Sequence, residues 1–106
     1  MVSDLQSLKS SITSFASSSA NKLRGQQSVV GSATVFICSN RFREDLPQYG
    51  NAQTEYFSVS TSDTLEITDY AIKILERIYQ PGIQYKKSGV ILSNISRLEY
   101  VQTELV

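Results

Sequence analysis

The chain has 106 residues, 41% of them hydrophobic, which suits one compact domain around one core. Ten basic residues balance ten acidic ones, so no global charge draws it to nucleic acid or to a membrane surface, and any electrostatic attraction must be local. Histidine and tryptophan are absent, the single cysteine has no partner for an intramolecular disulfide, and no apolar run approaches the roughly 18 residues of a membrane span, so a reducing cytoplasm is the expected compartment.

Between residues 3 and 24, Leu5, Leu8, Ile12, Phe15, Ala16, Ala20 and Leu23 recur at three- and four-residue steps, which gathers them on one helical face. Ser3 or Asp4 is placed to cap the start, and Gly25 offers the left-handed conformation by which a chain leaves a helix. SATVFICSN then sets Ala33, Val35 and Ile37 against Thr34, Phe36 and Cys38, the two-residue period of a strand. Pro47 and Gly50 interrupt NRFREDLPQYGNA, so residues 40–52 read as a long loop. TEYFSVS alternates again, with Phe57 and Val59 on one side and Tyr56 and Ser58 on the other. Asp63 and Glu66 form a D-x-x-E capping signal ahead of Ile67, Ala71, Ile74, Leu75 and Ile78, which predicts a second helix to about Tyr79. Pro81 and Gly82 end it, and YKKSGVILS supplies a third strand with Val90 and Leu92 opposite Lys87, Gly89 and Ile91. Helix, strand, strand, helix, strand predicts an α+β layer pair in which two helices cover one face of a sheet, leaving the other face to solvent or a partner.

Reactive chemistry finds little support in these residues. Glu44 and Asp45 are neighbours in the loop, while Asp63, Glu66, Asp69 and Glu76 follow the polar side of the second helix, a charge pair and a solvated face rather than a metal-binding cluster. Cys38 lacks a histidine to activate it, and the isolated Gly82 and Gly89 make no phosphate loop. Binding is the better candidate. Residues 83–97 carry Lys86, Lys87 and Arg97 with no acid, whereas four of the ten acids lie between 63 and 76. Lys86 and Lys87 are expected on opposite sides of a strand start, with stems long enough to bring both heads to phosphate. Arg41 and Arg43 follow the first strand, and Thr34, Tyr56 and Ser58 add hydroxyls to the face away from the helices. Such a surface holds a phosphate backbone without reading bases.

YGN at 49–51 and IYQPGIQYKKSGVIL at 78–92, preceded by the helix end SANKLRGQ at 19–26, resemble the little finger of UmuC-like Y-family DNA polymerases. The similarity is collinear over about residues 5–94, and Tyr79, Gly82, Tyr85, Lys87, Gly89 and Val90 carry its most specific spacing. The resemblance implies a β-α-β-β-α-β domain of four antiparallel strands with both helices on one face and the open face along the DNA major groove. Its first strand would precede the first helix, so residues 1–94 are expected to be this DNA-binding domain as a fragment lacking that strand, leaving the last strand an edge that invites a homodimer. The resemblance also places Lys86 and Lys87 where basic residues touch phosphates. It commonly has basic residues at positions 38 and 91, where this chain has Cys38 and Ile91. Contact with about three phosphates would give a shallow salt slope of about −3.

Within the tail, residues 95–106, Gln102, Leu105 and Val106 resemble the Q-x-x-L-aromatic peptide by which such polymerases hook the sliding clamp, with Val106 replacing the usual Phe. The fragment needs no cofactor; the parent polymerase's magnesium would belong to a catalytic core outside it. Two functions follow: a DNA-binding accessory domain gripping primer-template DNA for translesion synthesis in SOS mutagenesis and DNA repair, or a protein-interaction domain that docks a clamp without touching DNA.

Overall fold

The computed structural model describes residues 4–40 and 42–97. Helix α1, Leu5–Gly25, starts where the Ser7 amide donates to the Asp4 carboxylate at 2.9 Å, a cap that also holds this carboxyl below its usual range. It buries Leu8, Ile12, Ala16, Ala20 and Leu23 but leaves Phe15, at the edge of the stripe, 44% exposed. The left-handed exit expected of Gly25 falls instead to Gln27, with φ of 54°, because the helix runs through the glycine before turning.

Strand β1, Ser28–Ser39, is the centre of an antiparallel sheet with β2, Gly50–Thr61, on one side and β3, Tyr85–Ser93, on the other. A two-residue strand, β4 (Ser96–Arg97), continues along the β3 side and pairs with Ser28 and Val29. Four strands therefore stand where the alternation showed three. β1 begins four residues before the expected Ser32, in a stretch where Ser28, Val29 and Val30 are all buried and no period of two exists to be read. β2 likewise takes Gly50, Asn51 and Ala52 out of the expected loop, since Cys38, Ile37 and Phe36 offer them ladder partners that local turn chemistry does not reveal. The outer edge of β3 has no strand partner among the described residues.

Helix α2, Thr64–Ile78, is capped by Asp63, whose carboxylate accepts the Glu66 amide at 3.4 Å. Ile67, Ala71, Ile74, Leu75 and Ile78 are all buried, as their spacing predicts. Ala71, Ile74, Leu75 and Ile78 meet the inward residues of β1, Ala33, Val35 and Ile37, with Val90 and Leu92 of β3 packed alongside, while Ile67 packs with Ala16, Ala20, Leu23 and Val30. Each buried Leu or Ile in this layer contributes about 1.5–3 kcal/mol relative to exposure.

Two irregularities bend the simple alternation. Between the pairs formed by Ser32 with Tyr56 and Val30 with Thr61, β2 advances five residues while β1 advances two. Phe57 still turns inward and stacks on Tyr70 at 4.2 Å between centroids, but Val59 is 76% exposed rather than buried beside it. The second shift lies between Cys38 and Ser39, which pair with Lys87 and Tyr85. Lys86 is thus the extra residue of a β-bulge.

Just before that bulge, the tyrosines fasten β3 to the end of α2. Tyr85 is 2% exposed; its hydroxyl donates to the Gln80 carbonyl at 2.8 Å and accepts from the Gln80 amide at 3.0 Å. Tyr49 donates to the Ile78 carbonyl at 2.7 Å, accepts from the Asn51 side-chain amide at 3.1 Å, and meets Tyr85 edge-on. Gly82, with φ of 88°, makes the turn between helix and strand in a region where a side chain would be strained. Burial raises the Tyr85 pKa above the ordinary phenol value.

Replacing Tyr85 by Phe keeps the ring but strips both hydrogen bonds from Gln80, so urea denaturation at neutral pH should show a loss of about 1–2 kcal/mol. The raised pKa means that Tyr85 supports the fold fully below the unfolded phenol pKa of about 10 and loses that contribution as pH rises through the folded value. The stability gap between wild type and Tyr85→Phe should accordingly narrow above pH of about 10.

Candidate nucleic-acid interface

The register arranges the sheet face away from the helices in four rows across β2, β1 and β3: Tyr56, Ser32 and Ser93; Thr54, Thr34 and Ile91; Ala52, Phe36 and Gly89; Gly50, Cys38 and Lys87. None of these residues is acidic. Glu55, between two of them on β2, points to the other side and pairs with Arg77 at 3.1 Å. Thr34 and Thr54 share a hydroxyl hydrogen bond of 2.6 Å, and Tyr56 is 71% exposed, so three hydroxyls stand together on the face. Ser32 is buried beneath Asn94, whose amide donates to its hydroxyl at 3.3 Å.

Both lysines belong to this face. On a regular strand Lys87 would point the same way as Tyr85, two residues earlier, and Lys86 the opposite way. The bulge removes that constraint, and Lys86 and Lys87 together line a hollow of about 390 Å³ with Phe36, Cys38, Ser39 and Phe42. The expectation that they point to opposite sides is therefore corrected. Neither lysine forms an ion pair among the described residues. The Lys86 ammonium lies 5.1 Å from the centre of the Phe42 ring, a cation–π approach.

The remaining predicted contacts divide. Arg43 is held in a two-pronged pair with Asp45, both bonds 3.0 Å, which raises the pKa of the guanidinium and lowers that of the carboxylate; its charge is already matched. Ser58 is exposed but falls inside the β2 register shift, away from the Thr34 and Tyr56 rows. Arg41, Gln102, Leu105 and Val106 lie outside the described residues. Two aromatic rings were missed. Phe36 alternates with Thr34 and Cys38 and so could be placed on the open face, yet its part in the hollow depends on Gly89, across the strand; Phe42 gave no signal beyond a bulky apolar residue in a polar loop.

Gly89 is part of this floor. A Cβ built on it would lie 2.6 Å from two atoms of the Phe36 ring, so the ring rests on the glycine. No described residues assemble three potential metal-ligating His, Cys, Asp or Glu side chains, and no described helix is long and apolar enough to cross a membrane.

Fold and surface together define an α+β domain with one packed and one open sheet face, the open face bearing Lys86 and Lys87, which form no ion pair among the described residues. The family model of the impB/mucB/samB family C-terminal domain matches residues 1–105, and the chain belongs to that family. It is 30% identical over 93 residues to protein UmuC of Salmonella typhimurium, covering 88% of this chain and 22% of that protein. Against protein MucB of Escherichia coli the identity is 34% over 98 residues, 92% of this chain and 23% of the relative. Protein SamB of Salmonella typhimurium is 30% identical over 95 residues, 90% of this chain and 22% of its own length. The chain thus spans under a quarter of each of these relatives, and the UmuC-like assignment made from the motif run is borne out.

Gly89→Ala should cost about 1–3 kcal/mol in chemical denaturation, because the new methyl group displaces the Phe36 ring. In a Phe36→Ala background the same replacement should be close to neutral, and that difference, measured as a double-mutant cycle, isolates the contact.

Proposed function

We propose that this chain is the DNA-gripping C-terminal domain of a Y-family translesion DNA polymerase, holding primer-template DNA by its backbone while a catalytic core in the parent protein copies past damage. The observation that carries this reading is the placement of Lys86 and Lys87, without an ion pair among the described residues, on a sheet face whose register rows contain no carboxylate. Hydroxyls of Thr34, Thr54 and Tyr56 extend the same face, supplying donors to phosphate oxygens. Phosphate contact by ammonium groups and hydroxyls is indifferent to sequence, as an enzyme that must accept altered templates requires. In the parent polymerase, tethering to the core would raise the effective concentration of so modest a surface at the DNA.

Among the described residues, with Arg43 matched by Asp45, Lys86 and Lys87 are the predicted basic contacts left to displace counterions. Fluorescence anisotropy with a labelled primer-template at low salt should therefore show weak binding with a log–log salt slope of about −2. Lys86→Ala with Lys87→Ala should flatten the slope towards zero and weaken binding about equally for all sequences. Absence of binding at any protein concentration, or binding untouched by the double replacement, would count against the reading.

A further inference from the structure

We propose that the hollow beside Lys86 and Lys87 receives an unpaired base, stacked on Phe42, so that the domain favours duplex ends bearing a single-stranded overhang over blunt duplex. This deepens the DNA-gripping reading and rests on it. Phe42 is 87% exposed, the most exposed of the large hydrophobic residues in the described chain, and the fold does not use its ring for packing. An apolar ring left largely in water contributes little to stability, so its place is better explained by what can cover it.

The loop presents this ring in a defined position. The Phe42 amide donates to the Asn40 side-chain carbonyl at 3.0 Å. Gln48 braces the loop from within, its side-chain amide sharing its two N–H groups among the carbonyls of Asn40, Arg43 and Leu46 at 3.1, 3.1 and 3.2 Å. One face of the ring meets the Lys86 ammonium, leaving the other for a second planar group. Phe36 and Cys38 give the hollow an apolar floor, and its lining contains no acid to repel phosphate.

Cations that track a backbone, interleaved with aromatic rings, are the physical signature of single-strand binding, because every base offers a π-face and stacking does not depend on sequence. Within a duplex those faces are already stacked on their neighbours. Only an overhanging or extruded base is free to lie on Phe42 while its flanking phosphates remain beside the lysines.

The chain contains no tryptophan, so Phe42→Trp introduces a single indole reporter at the site. Anisotropy with a blunt duplex and with the same duplex carrying a short overhang should show tighter binding to the overhang by roughly fivefold or more, the scale of one base–aromatic stack. Phe42→Ala should abolish that margin, so that overhang and blunt duplex bind alike; Phe42→Trp should preserve it, with indole emission quenched by the overhang but not by the blunt duplex. A margin that survives Phe42→Ala, or indole emission responding alike to both DNAs, would overturn the inference. If blunt duplex binds through the lysines while the Phe42 variants behave as wild type, the stacking site alone is wrong. If neither DNA binds, the gripping role and the stacking site fall together.

Discussion

Tyr85 must point into the core and Lys87 must point out of it, yet residues two apart on a regular strand share a face. The bulge at Lys86 resolves this conflict, and most of the functional surface depends on it. Tyr85 anchors the strand to the end of α2 through its two bonds to Gln80, and immediately afterwards the added residue turns both lysines onto the open face. Without the bulge, a strand with Tyr85 inward would drive Lys87 towards the apolar layer beneath α2, where desolvating an ammonium is costly.

A second consequence concerns charge. The zero sum over the chain conceals a local excess of positive charge on the open face, whose register rows contain no acid. On the helix side, Arg77 meets Glu55 at 3.1 Å and Lys9 meets Glu76 at 3.4 Å, while Lys22 and Lys73 form no ion pair among the described residues. In the loop, Asp45 matches Arg43. Lys86 and Lys87 keep their field directed outward. On the proposed reading, two such charges would give a weak, sequence-tolerant grip.

Helical periodicity carried the clearest information in the sequence. All five apolar residues read for α2 are buried, Asp4 and Asp63 cap as their positions imply, and β3 spans the very residues whose alternation marked it. These features are local, set by spacing and by side chains within a few residues of each other. What escaped is non-local: the β2 irregularity that exposes Val59, the extension of β1, the pairing of β4, and the direction of Lys86 all depend on partners distant in sequence. The motif run behaved differently again. Tyr49, Asn51, Gly82, Tyr85 and Gly89 identify the family because they build the corner between α2 and β3 and the floor beneath Phe36, not because they touch a ligand. From that run, Lys86 and Lys87 are the residues that face outward as charges, which is why the family was legible before the site was.

The most direct test of the open-face account is methyl NMR of the chain titrated with a short primer-template. Thr34, Ala52, Thr54 and Ile91 place methyl groups on the proposed contact face, whereas exposed Leu65 reports from α2 on the opposite side. The account predicts progressive shifts confined to the first group, reversed by added salt, with Leu65 unmoved. Shifts centred on Leu65 and the outer surface of α2, with the sheet methyls silent, would contradict it.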